Sequence, residues 1–162
     1  MIRLKFFLLI VLFIATDIQA ADLRGRVVGI SDGDTLTILD SDRRQHKVRL
    51  AGIDAPEKSQ AFGQASKVSL SEQAFGRDVV VVWDKQDRYG RIIGKILVNQ
   101  QDICLQQIRR GMAWHYKQYQ KDQAPIDRSE YSEAEAIARA SHLGLWQDKD
   151  PTPPWEWRHK KK

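Results

Sequence analysis

The sequence predicts an α+β domain, a small closed barrel of five strands with three helices. Short apolar runs with a period of two crowd the first half, helical periods dominate the second, and turn residues punctuate both at close intervals. Closing such a sheet removes its exposed edges, which favours a barrel over an open sheet. No internal repeat or low-complexity linker interrupts the chain.

In order along the chain, "RGRVVGIS" reads as a first strand ended by "DGD". "TLTILDS" is a second, with Leu36 and Ile38 on one face, and "QHKVRLAGI" a third, with Val48 and Leu50 opposite Arg49. "AFGQASKVSLSEQAFG" follows as a helix across one end of the sheet, Ala61, Ala65, Val68 and Phe75 recurring at helical spacing. "DVVVVWD" and "GRIIGKILV" complete the strands. "ICLQQIRRG" is a short helix stopped by Gly111. "PIDRSEYSEAEAIARASHLG" is a longer one, opened by Pro125 and capped by Gly144, with Ala134, Ile137, Ala138 and Ser141 as its inner stripe. "PTPPWEWRHKKK" lacks periodicity and is expected to be an extended tail over residues 151–162, anchored by Trp155 and Trp157.

The first 20 residues place Arg3 and Lys5 before an apolar run from Phe6 to Ala15 and end at Ala20, the pattern of a cleaved secretory signal. That run is shorter than the roughly 20 residues a membrane span needs. The expectation is an exported protein, secreted or periplasmic, with one domain over residues 21–150. Cys104 is the single cysteine, so no intramolecular disulfide forms, and its neighbours Ile103 and Leu105 mark it as a buried, inert thiol.

The formal charge is +5. Taking away Arg3, Lys5 and Asp17 leaves 24 basic and 20 acidic side chains, and Arg158, Lys160, Lys161 and Lys162 account for the whole excess. Residues 21–157 are balanced, so charge alone does not define a polyanionic partner. Specific residues must carry that case.

"SDGDTL" sets Asp32 and Asp34 around a glycine at the turn between the first two strands, a sequence that also serves simple turns. The fifth position of an EF-hand loop would be Leu36, which excludes that motif, and Leu36 after Asp34-Thr35 excludes an aspartic-protease signature. "VRLAGIDAPE" puts Arg49 on a strand that runs into Asp54, and Pro56 turns the chain so that Glu57 lies at the same end. An internal salt bridge is the structural alternative there. "DRYGR" adds Asp87, Tyr89 and Arg91 in a tight connection that a hairpin alone would also explain. His46, His115, His142 and His159 lack metal-ligand spacing.

Taken together and in order, "DGDTL", "VRLAGIDAPE", "AFGQAS" and "DRYGR" resemble the staphylococcal-nuclease (thermonuclease) family from about Arg26 to Trp146. "RRGMAW", "HLGLWQ" and the tail's "PPWEWR" extend the resemblance. It implies an OB-type barrel with three helices and a calcium-dependent endonuclease acting on DNA or RNA, with single-stranded or frayed substrate preferred and 3′-phosphate ends left. It also implies that Asp34, Asp54 and the Ala55 carbonyl are calcium ligands, that Glu57 serves the attacking water, and that Arg49 and Arg91 hold the scissile phosphate. Ala55 stands where the family often has threonine, a change that a carbonyl ligand survives. Cys104 replaces a common asparagine. Tyr89, Asp87 and Tyr116, with Tyr119 as a further candidate, are the expected substrate contacts. A monomer is expected. The alternative is a non-catalytic OB module that binds nucleic acid, or a protein in which the acidic pair serves structure only.

Overall fold

A computed structural model describes residues 21–160. The strands are β1 (Ala21–Ile30), β2 (Thr35–Leu39), β3 (Gln45–Leu50), the two-residue β4 (Ile53–Asp54), β5 (Asp78–Gln86), β6 (Ile92–Val98), β7 (Gln101–Asp102) and β8 (Trp114–His115). The helices are α1 (Gly63–Ala74), α2 (Ile103–Arg109), α3 (Pro125–Ala140) and α4 (Pro154–Lys160). The main sheet runs β3-β2-β1-β5-β6-β7, and a parallel pairing of β3 with β6 closes five of its strands into a barrel. The residue pairs along that seam are Val48 with Ile92, Arg49 with Ile93 and Leu50 with Gly94. β4 and β8 form a separate ribbon beside the barrel mouth.

Period-two alternation fills the barrel as expected. Leu36, Ile38, Val48, Leu50, Val81 and Ile96 are buried, and Leu70 from α1 and Ile108 from α2 cap the same core. A second, smaller cluster joins Trp114, Ala138, Leu145 and Trp146, with Phe62 and Trp155 packed against it.

Two helices turn a different face inward from the one their apolar spacing suggests. On α1 the buried residues are Gly63, Ser66, Ser69, Leu70, Gln73 and Ala74, while Val68 and Phe75 are exposed. The inner face is polar because α2 supplies partners. Ser69 Oγ donates to Gln107 Oε1 at 2.7 Å, Gln73 Nε2 donates to the same oxygen at 2.9 Å, and Gln107 Nε2 donates to the Ser66 carbonyl at 3.1 Å. Buried polar groups are tolerated when each finds a partner. On α3, Tyr131, Ala134, Glu135 and Ala138 face inward, and Ile137 and Ser141 are exposed. Glu135 is held by the His115 N–H at 3.1 Å and by Lys117 Nζ at 2.8 Å. That helix ends at Ala140, four residues before Gly144.

The tail corrects a third expectation, since residues 154–160 form α4 and are not extended. Pro at the first turn needs no N–H partner and starts the helix, Glu156 lies in that turn, and Arg158, His159 and Lys160 in the last one suit the helix dipole. Trp155 anchors α4, edge-on to Trp114 at 5.5 Å and stacked on Tyr116 at 5.4 Å with 10° between the rings. Residues 1–20, on which the expected signal segment falls, and residues 161–162 lie outside the described part. No helix among the described residues is long and apolar enough to cross a membrane.

Candidate active site

Barrel closure creates the site. Arg49 lies on β3 at the seam, and Arg91 is the residue immediately before β6, so the parallel pairing brings both arginines to one end of the barrel. The β1–β2 turn delivers Asp34, and β4 delivers Asp54 four residues after β3 ends. The segment beyond β4 carries Glu57. Every site residue expected from the sequence except Asp54 lines one cleft of about 1210 Å³. Asp54 lies behind it, with no exposure.

Arg49 joins the two acids. Its Nη1 donates to Asp34 Oδ1 at 2.6 Å and its Nη2 to Asp54 Oδ1 at 2.8 Å. Asp34 is also fixed by the Thr35 hydroxyl at 2.9 Å and by the Ala55 N–H, which donates to Asp34 Oδ2 at 2.9 Å. Burial raises the Asp54 carboxyl above its ordinary value of 3.8; Arg158 and Arg49 pull it down while the charge of Asp34 pushes it up. Burial would weaken the Arg49 charge, but Asp34 and Asp54 together raise its pKa, so the guanidinium stays protonated at any working pH.

The "DRYGR" turn is built around Asp87. Its carboxylate accepts the N–H groups of Tyr89 at 2.9 Å and Arg91 at 3.0 Å, and Arg91 Nε at 2.7 Å. Burial alone would raise that carboxyl; these donors, Arg91 foremost, hold it below its ordinary 3.8. Asp87, expected from the sequence as a substrate contact, is a support for Arg91 here, its acceptor-only carboxylate taken up by these donors. Tyr89 is 70% exposed, and its ring lies under Arg88 at 4.9 Å and Arg91 at 5.6 Å. Tyr116 and Tyr119 meet edge-on at 4.9 Å on the cleft wall.

Two further residues hold the site and escaped the sequence reading. Gln107 Nε2 donates to the Gly33 carbonyl at 2.8 Å, tying the "DGD" turn to α2, and nothing in a helix-period segment marks such a glutamine. Arg158 reaches back 104 residues to Asp54 and also meets Glu57 Oε1 at 2.9 Å. Its signal was the "PPWEWR" piece of the family resemblance, set against a basic tail that reads as solvated.

Among the described residues, no group of three or more His, Cys, Asp or Glu side chains is arranged to hold a metal ion. The chemistry of the donors still fits a hard cation. Asp34 and Asp54 are two buried carboxylates that share one guanidinium and repel one another, all their donor atoms are oxygen, and backbone carbonyls can supplement them.

The fold and the cleft define a small barrel that presents arginines and carboxylates at one end. The sequence profile of staphylococcal nuclease homologues matches residues 47–148. An "Uncharacterized endonuclease" of Haemophilus influenzae is 44% identical over an alignment spanning 100% of this chain and 89% of its own length. One of the same description from Escherichia coli is 38% identical over 97% of the chain and 99% of its own length. A "Micrococcal nuclease" of Shigella flexneri is 41% identical over 88% of the chain and 84% of its own length. The chain belongs to the staphylococcal nuclease homologue family.

Proposed function

We propose that this chain is an exported, calcium-dependent nuclease that cleaves DNA or RNA within the strand and leaves 3′-phosphate ends. The observation that carries the reading is the junction of Arg49 and Arg91 across the barrel seam, facing the cleft that Glu57 lines. A phosphodiester gains charge on its equatorial oxygens in the transition state, so cations fixed in advance stabilise it. Asp87 holds Arg91 by Nε and leaves its terminal nitrogens for the phosphate, while Asp34 and Asp54 engage both terminal nitrogens of Arg49 and set its position. Glu57, with its carboxylate 40% exposed, accepts a proton from an attacking water. Asp34, Asp54 and the Ala55 carbonyl would hold calcium, which supplies Lewis-acid polarisation of a phosphoryl oxygen. Tyr89, with Tyr116 and Tyr119, offers rings on which bases stack, the pattern of a single-strand groove. A monomer suffices, since all of these groups come from one chain, and the leader over residues 1–20 supports export to the periplasm or the medium.

The test is cleavage of an end-labelled oligonucleotide in calcium and then in chelator, with end-group analysis of the products. Activity should vanish in chelator and return with calcium, while magnesium, held to a tighter octahedral geometry, substitutes poorly. Full activity in chelator removes the metal part of the reading. Binding without cleavage in calcium replaces it with a non-catalytic module.

A further inference from the structure

The C-terminal helix places a third guanidinium in the acidic end of the cleft. Arg158 Nη2 lies 2.8 Å from Asp54 Oδ2, and its Nη1 lies 3.2 Å from Asp54 Oδ1 and 2.9 Å from Glu57 Oε1. With Arg49 on Oδ1 as well, both oxygens of the fully buried Asp54 are engaged. We propose that Arg158 is a latch that a divalent cation must displace: the two compete for Asp54, and cation binding goes with release of α4 from Asp54 and Glu57. The inference rests on the cation reading of Asp34 and Asp54 given above.

Competition follows from the bonding. The carboxylate lone pairs that accept guanidinium N–H groups are the ones a cation would use, and a dication beside the Arg158 charge is repelled. Release is within reach of the structure. α4 has seven residues, too few to hold together as an isolated helix. Besides the Arg158 pairs, it is docked by the Trp155 ring contacts, the buried Pro154 and the half-buried Trp157, with Gln60 Nε2 donating to the Thr152 carbonyl at 2.5 Å just before it. The Arg158 side chain is 40% exposed and can leave without opening the core. Segments with few buried contacts are the ones that open locally.

The closed latch blocks more than the cation. It occupies the Glu57 oxygen that would serve water, and Trp155 covers a face of Tyr116, a ring placed to stack on a base. One movement of α4 therefore uncovers the acid pair, the carboxylate and an aromatic surface together. Both α4 and its arginine lie beyond residues 47–148, the part matched by the family profile.

The experiment is calorimetric titration of calcium into nucleic-acid-free protein: parent, Arg158→Gln, Lys160→Gln and Asp54→Asn. Amide hydrogen exchange over residues 154–160 of the parent is followed with and without calcium. A latch closed about nine-tenths of the time weakens apparent binding about tenfold, so Arg158→Gln should bind calcium tighter by about that factor. Lys160→Gln, which removes one charge from the same helix, should change little, Asp54→Asn should lose binding, and calcium should speed exchange in α4 of the parent. Equal tightening in the two charge variants, or unchanged exchange in calcium-bound parent, overturns the latch and leaves the cation reading intact. No calcium binding by parent or Arg158→Gln overturns both. The exchange result decides alone if Arg158→Gln does not fold.

Discussion

Glu57 and Arg91 differ in how firmly they are held, and the difference sets what their substitution does. Arg91 is tied by Nε to Asp87, leaving its terminal nitrogens for a phosphate, whereas Glu57 meets Arg158 at the solvent edge. Glu57→Gln keeps the size but accepts no proton at neutral pH, so single-turnover cleavage should fall by about 10² to 10⁴ while oligonucleotide affinity changes little. Arg91→Lys keeps the charge and loses both the Nε bond and the planar fork; turnover should fall much more than affinity if the fork acts in the transition state. Cleavage by both variants at the parental rate would remove this site from the chemistry. His115 supplies a prediction about pH. It is buried, its Nε2 lies 2.8 Å from Gln123 Oε1, and burial holds its pKa below the ordinary 6.5 against the pull of Gln123 and Glu135. Below pH 6.5 the unfolded chain takes up this proton before the native one does, so stability falls as pH drops, with a slope of up to about 1.4 kcal/mol per pH unit. Urea melts from pH 7 to 5 should show a shallower dependence in His115→Gln. At this scale the acid and arginine motifs were legible because each is a local string. Arg158 was not, because a lone basic residue in a tail looks the same whether it meets solvent or a buried carboxylate.

Elements rather than motifs fix where the loops lie, and α1 is the clearest case. A Cβ at Gly63 would sit 1.9 Å from the Glu57 carbonyl oxygen and 2.8 Å from its carbon, backbone atoms with no room to give. Gly63→Ala should therefore push the Glu57 segment away, costing about 1–3 kcal/mol in a denaturant melt and lowering cleavage although no site residue is changed. Unaltered stability and activity would mean that the loop shifts freely. The strands were legible because alternation puts Leu36, Ile38, Val48 and Leu50 on one face and the barrel buries that face. The helix faces were less so. A search for apolar stripes passes over Ser66, Ser69 and Gln73, whose burial is decided by Gln107 on another helix, and over Glu135, whose burial is decided by the His115 N–H and Lys117. α4 was missed for a related reason: its docking comes from Trp114 and Tyr116, which no periodicity within the tail reveals.

For the whole molecule, the decisive contact is the parallel seam between β3 and β6, which joins residues more than 40 positions apart. Loop-closure entropy makes such pairings late events in folding. On dilution from denaturant, nuclease activity should return no faster than protection of the β3 and β6 amides measured by pulsed hydrogen exchange. Activity that precedes this protection would show that the arginines work without the seam. The same seam has a meaning for the cell that makes the protein. An enzyme that cuts nucleic acid is a hazard to its own ribosomes and messages, and a chain emerging from synthesis has Arg49 and Arg91 on separate stretches of coil. Until that pairing forms, the two arginines do not share one end of a barrel, and the phosphate-binding geometry proposed for them does not exist.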